Sequence, residues 1–143
     1  MASCNAGDAM VLEQAVIIAG IGCRKGVSAA QVGEAIGAAL ARAGLQRDAL
    51  DLIATPVQKG AEPGIVAAAN ALSVPLVLVP PADLENATPR ILTRSERVIA
   101  LTGLPSIAEA AALAAGGPSA RLVASRTAVG PVTCAIAATE SPA

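Results

Sequence analysis

A single-domain α/β architecture, a largely parallel twisted sheet of about five strands flanked by helices and closed by a C-terminal hairpin, follows from three features of this 143-residue chain. Short apolar runs alternate with longer stretches of helical periodicity, an order that gives right-handed crossovers and parallel pairing. Two serine-led capping patterns mark helix starts. No linker, repeat or low-complexity block divides the chain, whose length is close to the commonest domain size. One domain over 1–143 is expected, with its core at about residues 15–138 and loose termini.

The elements follow in order. Ala15 to Ile21, AVIIAGI, is a continuous apolar run ending next to glycine, as suits a strand buried on both faces. Ser28-Ala-Ala-Gln31 is a capping box that opens a helix with Val32, Ile36, Ala39, Leu40 and Ala43 on one face and Gly44 as its stop. Gly33, Gly37 and Ala41 form a second stripe suited to close backbone approach. Leu50 to Thr55 is a second strand, halted by Pro56, and Pro63 fits the first turn of a second helix that carries Ile65, Val66, Ala69 and Leu72. A third strand spans Pro75 to Pro80, after which Pro80 and Pro81 impose an extended exit. Ser95 to Leu101 reads as a short helix, although so brief a run also suits a strand. Ser106 and Glu109 form a second capping box for an alanine-rich helix closed by Gly116 and Gly117. Arg121 to Ser125 and Val132 to Ala138 make a hairpin about Val129-Gly130-Pro131.

Composition narrows the chemistry. The chain has no histidine, which removes imidazole metal ligands and any Ser-His or Cys-His pair. It has no aromatic residue and a net charge of -1, so it has neither rings for bases to stack on nor an overall basic field, and no nucleic-acid partner is expected. Cys4, Cys23 and Cys134 are too few and too scattered for a disulfide framework or a thiolate zinc site. No metal or cofactor is expected. The N-terminus lacks signal-peptide character. The longest uncharged run, Pro63 to Ala82, is interrupted by Asn70, Ser73, Pro75, Pro80 and Pro81 and does not suit a membrane span. A soluble cytoplasmic protein with no membrane partner is therefore expected.

In open α/β sheets ligands bind beyond the carboxyl ends of the strands. Gly22-Cys23-Arg24-Lys25-Gly26 and Thr55-Pro56-Val57-Gln58-Lys59-Gly60-Ala61-Glu62 occupy that position, each ahead of a helix start whose dipole reinforces their three cations. An anionic ligand is implied, although each charge taken alone also suits a solvated loop. Gly20, Gly22 and Gly26 superficially resemble a dinucleotide loop, but their spacing differs and Thr55-Pro56 stands where an acidic residue would end the second strand. Cys23, beside Arg24 and Lys25, could be a thiol of lowered pKa or a small packing residue. Glu62 could be a general base, a helix-start cap or a surface charge.

GIGCRKGVS at Gly20 to Ser28, ATPVQKGAEPGI at Ala54 to Ile65, GLPSIAEAAALAAGG at Gly103 to Gly117 and LVASRTAVGPVTCAIA at Leu122 to Ala137 together resemble the cobalamin biosynthesis family that includes CobE and the C-terminal domain of CbiG. The resemblance covers about Val16 to Ala138 in the family's order. It implies a part in making the corrin ring. The free-standing type would bind a polycarboxylate tetrapyrrole or precorrin as a carrier or accessory protein and serve other enzymes of the aerobic pathway. A CbiG-like activity would instead hydrolyse a precorrin ring lactone, with Glu62 and Cys23 as catalytic groups; a nucleotide-binding module is a weaker alternative. The matching positions are Gly20, Gly22, Cys23, Arg24, Gly26, Thr55, Lys59, Glu62, Gly64, Ser106, Glu109, Ala111, Thr133 and Ala135. Arg126 stands where many relatives carry lysine, and Pro56-Val57 fills a slot that is often more polar. The implied substrate-binding set is Gly22, Cys23, Arg24, Lys25, Thr55, Lys59, Glu62, Arg126 and Thr133, with Val57 and Leu104 as apolar contacts. For Ser106 and Glu109, helix capping is a sufficient role.

Overall fold

The computed structural model of the chain describes residues 16–91 and 106–139. Cys4, the Ser95 to Leu101 segment and Leu104 lie outside the described residues. The elements are β1 (Ile17–Cys23), α1 (Ala29–Arg42), β2 (Leu52–Pro56), α2 (Pro63–Leu72), β3 (Leu76–Val79), α3 (Pro81–Ala87), α4 (Ile107–Gly116), β4 (Ala120–Val129) and β5 (Val132–Thr139). They form one five-stranded sheet in the order β3-β2-β1-β5-β4.

The β1–β2 and β2–β3 pairs are parallel, and the β1–β5 and β4–β5 pairs are antiparallel. The sheet is thus evenly mixed, less parallel than the sequence suggests, because the C-terminal hairpin joins it beside β1. Pairing with Val132 to Ala138 also extends β1 to Cys23, beyond its expected end at Ile21. At the other end, Ile17 N donates to Asp51 Oδ2 at 2.8 Å while Asp51 N donates to Ile17 O at 2.9 Å, which fixes the start of β1 against β2.

Alternation along β1 divides the core. Ala19 and Ile21 join Val32, Ile36 and Leu40 of α1, Ile65 of α2 and Ile136 of β5 on one face. Ile18 joins Leu84 of α3, Leu113 of α4 and Ala137 of β5 on the other. Ser28 caps α1 with the full reciprocal box, Gln31 N to Ser28 Oγ at 3.1 Å and Ser28 N to Gln31 Oε1 at 2.9 Å. Pro63 takes the first turn of α2.

Two local expectations are corrected. Pro80 is extended, but Pro81 opens α3 instead of continuing an extended exit: its fixed φ is already helical, and its missing N–H is one that a helix start leaves unpaired. The Gly33–Gly37 stripe meets no helix. Nothing lies within 4 Å of a Cβ placed at Gly33, whereas Gly37 lies under the Arg47 guanidinium, which donates to Gly33 O at 3.4 Å. Close approach occurs instead at Gly20, where a Cβ would sit 2.0 Å from Ala108 O and 2.6 Å from Ala112 N of α4. Among the described residues no helix is long and apolar enough to cross a membrane.

These two glycines should respond oppositely to alanine. Gly20→Ala drives a methyl into the α4 backbone and should lower the thermal midpoint by roughly 10 °C, an overpacking cost of about 3 kcal/mol. Gly33→Ala, with open space around it in a helix, should raise the midpoint by about 2 °C. Circular dichroism melts of both variants read the contrast directly.

Candidate functional site at the carboxyl ends of β1 and β2

Because β1 and β2 are parallel neighbours, the loops that leave them emerge side by side. The first runs from Arg24 to Ser28; the second contains a 3-10 turn at Val57–Lys59 and leads to α2. They converge through two contacts. Glu62, at the N-cap position of α2, makes no side-chain cap there; its Oε2 instead accepts a hydrogen bond from Gly26 N at 2.8 Å. Two residues on, a Cβ at Gly64 would stand 2.2 Å from Val27 O, so the start of α2 rests on the backbone of the first loop. Arg24 N also donates to Pro131 O at 3.3 Å, which ties the first loop to the turn of the hairpin.

This arrangement gathers charge at one edge of the sheet. Arg24 and Lys25 are exposed, Lys59 and Glu62 are half-buried, and both of the latter act on the Cys23 thiol. The N-termini of α1 and α2 point into the same region and add positive potential. Apolar surface lies alongside: Val57 is 47% exposed and Leu78 is 44% exposed. Leu78 packs against Gly60, where a Cβ would meet both of its methyls at 2.7 Å. Leu78 was not among the expected contacts, since in PLVLVP it reads as one more core residue of a buried strand. Among the described residues no cluster of three or more acidic or thiol groups could hold a metal ion.

Of the two readings open for Cys23, the structure favours the packing residue over the thiol of lowered pKa. Burial pushes the Cys23 thiol above its ordinary value, the Lys59 cation pulls it down, and the Glu62 carboxylate adds to the rise. Desolvation outweighs the cation, and that cation is Lys59, not the sequence neighbours Arg24 and Lys25. Cys23 packs against the α1/α2 core. Cys134 is enclosed, and its thiol is pushed up strongly by the same desolvation.

Thr55 also takes a different part from the one implied. It is fully buried and its hydroxyl donates to Ile21 O at 3.1 Å, so it braces β1 from within and has no surface to offer a ligand. Thr133, half-buried, donates from Oγ1 to Gly22 O at 3.2 Å, bracing the same strand from the β5 side. Gly22 is buried between Thr133 and Ile107 of α4, where a Cβ would meet Thr133 Oγ1 at 2.9 Å.

Arg126 stands apart from the converged loops. Thr127 pairs with Cys134, whose side chain lies in the α1/α2 core, so Arg126 alternates to the α4 face. Its backbone N donates to Glu109 Oε2 at 2.8 Å, and its carbonyl accepts from Arg42 Nη1 at 3.2 Å. Glu109 is fully buried in the first turn of α4. Ser106 Oγ accepts from Glu109 N at 3.3 Å, but the Glu109 carboxylate turns to β4, so the expected capping box keeps only its serine half. A buried carboxylate costs several kcal/mol unless it is paired or hydrogen-bonded. The signal for Glu109 was available in sequence as the lone charge in an otherwise apolar helix, masked by its capping spacing.

The protonated state of Cys23 is measurable. Iodoacetamide should modify Cys23 more slowly at pH 7.5 than it does an unperturbed thiol, with the rate climbing as pH rises past 9. Lys59→Ala should slow it about twofold further and Glu62→Gln should speed it about twofold, as removal of a lowering cation and a raising anion requires. Peptide mass spectrometry at Cys23 separates this signal from the other thiols.

Comparison with known proteins agrees with this geometry. The family model described as Cobalamin synthesis G C-terminus matches residues 17–137. Protein CobE from Sinorhizobium sp is 35% identical over 121 residues, covering 85% of this chain and 79% of that protein. The crystal structure of CobE, a protein from the cobalamin biosynthetic pathway, superposes with a TM-score of 0.80 at 34% identity, covering 87% of this chain and 90% of the other. That of cobalamin biosynthesis protein chiG from Agrobacterium tumefaciens gives 0.67 at 39% identity over 85% and 97%. A cobalamin biosynthesis protein G homolog from Sulfolobus solfataricus gives 0.67 at 27% identity, with 87% of this chain matching 37% of the longer one. The chain, with its converged loops at the ends of β1 and β2, belongs to the cobalamin synthesis G C-terminus family, which CobE shares.

Proposed function

We propose that the chain binds a polycarboxylate corrin precursor at the converged loops and acts as a carrier or accessory protein that passes the precursor to other enzymes of the pathway. The observation that carries this reading is the Glu62–Gly26 clamp, which sets Lys59 beside the Arg24-Lys25 loop and next to the exposed Val57 and Leu78. A precorrin is an apolar macrocycle rimmed by carboxylates. Cations around an apolar shelf answer both halves of that chemistry, the first through charge-assisted hydrogen bonds and the second through burial of apolar area.

A lactone hydrolase on the same loops would need an activated nucleophile. Lys59 and Glu62 are close enough to Cys23 to act on its thiol, which is what favours that alternative. Against it, burial keeps the thiol protonated and Glu62 is engaged by Gly26 N. Carriage asks only for charge and apolar surface, which the loops offer in Arg24, Lys25, Lys59, Val57 and Leu78.

The test is a titration with hydrogenobyrinic acid followed in the ligand's visible spectrum, with its mass measured afterwards. A chain without aromatic residues adds nothing to that spectrum. The expected result is a spectral shift with unchanged mass, weakened roughly fivefold in Arg24→Ala and in Lys59→Ala, as loss of one partly exposed ion pair predicts. Glu62→Gln, which keeps an acceptor for Gly26 N, should bind nearly as tightly as the parent. Absence of both a shift and co-migration on gel filtration would overturn the proposal. Lactone opening of a precorrin that disappears in Glu62→Gln would establish the hydrolase instead.

A further inference from the structure

We infer that Arg126 is a second carboxylate-binding point, on the α4 face of the sheet, and that Glu109 is the residue that positions it. The inference takes its ligand class from the reading above, but it rests on different residues from the converged loops.

Three observations carry it. The first is local geometry: β4 loses register with β5 between Leu122 and Ala124 and again between Ala124 and Thr127, so Arg126 lies where the ladder is irregular. Such irregularities re-aim a side chain. The second is that both backbone polar groups of Arg126 are held by charged side chains from opposite layers. Glu109 of α4 takes the N–H at 2.8 Å, and Arg42 of α1 reaches the carbonyl at 3.2 Å, with further bonds to Ser125 O at 3.2 Å and to Thr127 Oγ1. These bonds replace ladder bonds lost at the register slip and fix the backbone from which the Arg126 side chain leaves. The third is that Arg126 Nε is buried and has no hydrogen-bond partner.

A guanidinium edge presents Nε–H and one Nη–H as a fork that matches the two oxygens of a carboxylate. A buried, unpartnered Nε on a clamped backbone supplies one donor of such a fork. Arg126 lies on the same face as Thr133, two positions from the row in which Ala128, Thr133 and Gly22 pair across the sheet. A carboxylate there would be gripped from the α4 side while others meet the cations of the loops. Glu109 acts through Arg126 and is a positioning residue.

The experiment is NMR of the Arg126 Nε–H resonance, assigned by its loss in Arg126→Met, combined with affinities from the visible titration. With hydrogenobyrinic acid the resonance should shift, and Arg126→Met should bind about tenfold more weakly. Glu109→Ala should weaken binding comparably, Glu109→Gln should restore most of the affinity by keeping an acceptor for Arg126 N, and Glu109→Ala should add little on top of Arg126→Met. Binding with a stationary Arg126 resonance and a parent-like Arg126→Met overturns the inference and leaves the loop reading standing. Should hydrogenobyrinic acid fail to bind, tricarballylate replaces it: a shift at Arg126 supports the carboxylate point while the corrin reading falls, and no shift overturns both. If Glu109→Ala does not fold, as judged by circular dichroism, Arg126→Met and the resonance decide.

Discussion

Direct contact of backbone with backbone is the constraint on which this fold rests. Without a single aromatic ring, its layers can fill space only by moving close together, and dispersion then has to be gathered from small groups at short range. Gly20 permits α4 to lie on the central strand, with Ala108 and Ala112 directly over it. Gly64 permits the start of α2 to rest on Val27. The alanines of α4 and the isoleucines of β1, β2 and β5 complete two thin cores on either side of one sheet. A methyl group at either glycine would push whole layers apart, because what it meets is main chain and not the flexible end of a side chain.

The candidate site inherits its precision from this packing. The Gly64 contact and the Glu62–Gly26 bond hold two loops that would otherwise move independently, and Thr55 and Thr133 brace the last residues of β1 from both neighbouring strands. The outcome is an edge where cations, two helix N-termini and apolar surface share a small space. Burial governs the chemistry of that edge more than charge does. The thiol of Cys23 sits beside a lysine and is still raised, since half-burial against the α1/α2 core penalises the thiolate more than Lys59 favours it. The chain that carries these loops belongs to the cobalamin synthesis G C-terminus family.

The opposite layer shows how an irregular strand can be kept in one conformation. Between Leu122 and Thr127 the ladder to β5 slips twice, and slipped segments lose hydrogen bonds that a regular pair would make. Arg42 and Glu109 supply replacements from outside the sheet, one from each helical layer. A charged side chain buried for this purpose is costly to place and, once placed, hard to replace with anything apolar.

Much of this was written locally in the chain. The capping box at Ser28 and Gln31, the helix-starting Pro63, the apolar runs of the strands and the hairpin turn at Gly130-Pro131 each depend on a few neighbouring residues, so they could be read without knowing the fold. The absence of histidine and aromatic residues, and the cations after two strands, were equally plain. Tertiary structure decided the rest. Only the insertion of the hairpin beside β1 made the sheet evenly mixed and put Thr133 next to Gly22. Only the parallel pairing of β1 with β2 brought Glu62 to Gly26, and only burial decided between the two readings of Cys23, raising its thiol in spite of Lys59. Glu109 spaced itself like a helix cap and was claimed by a strand 17 residues away. Local pattern reports which backbone groups a residue can satisfy nearby, whereas desolvation and long-range pairing depend on what the rest of the chain places around it.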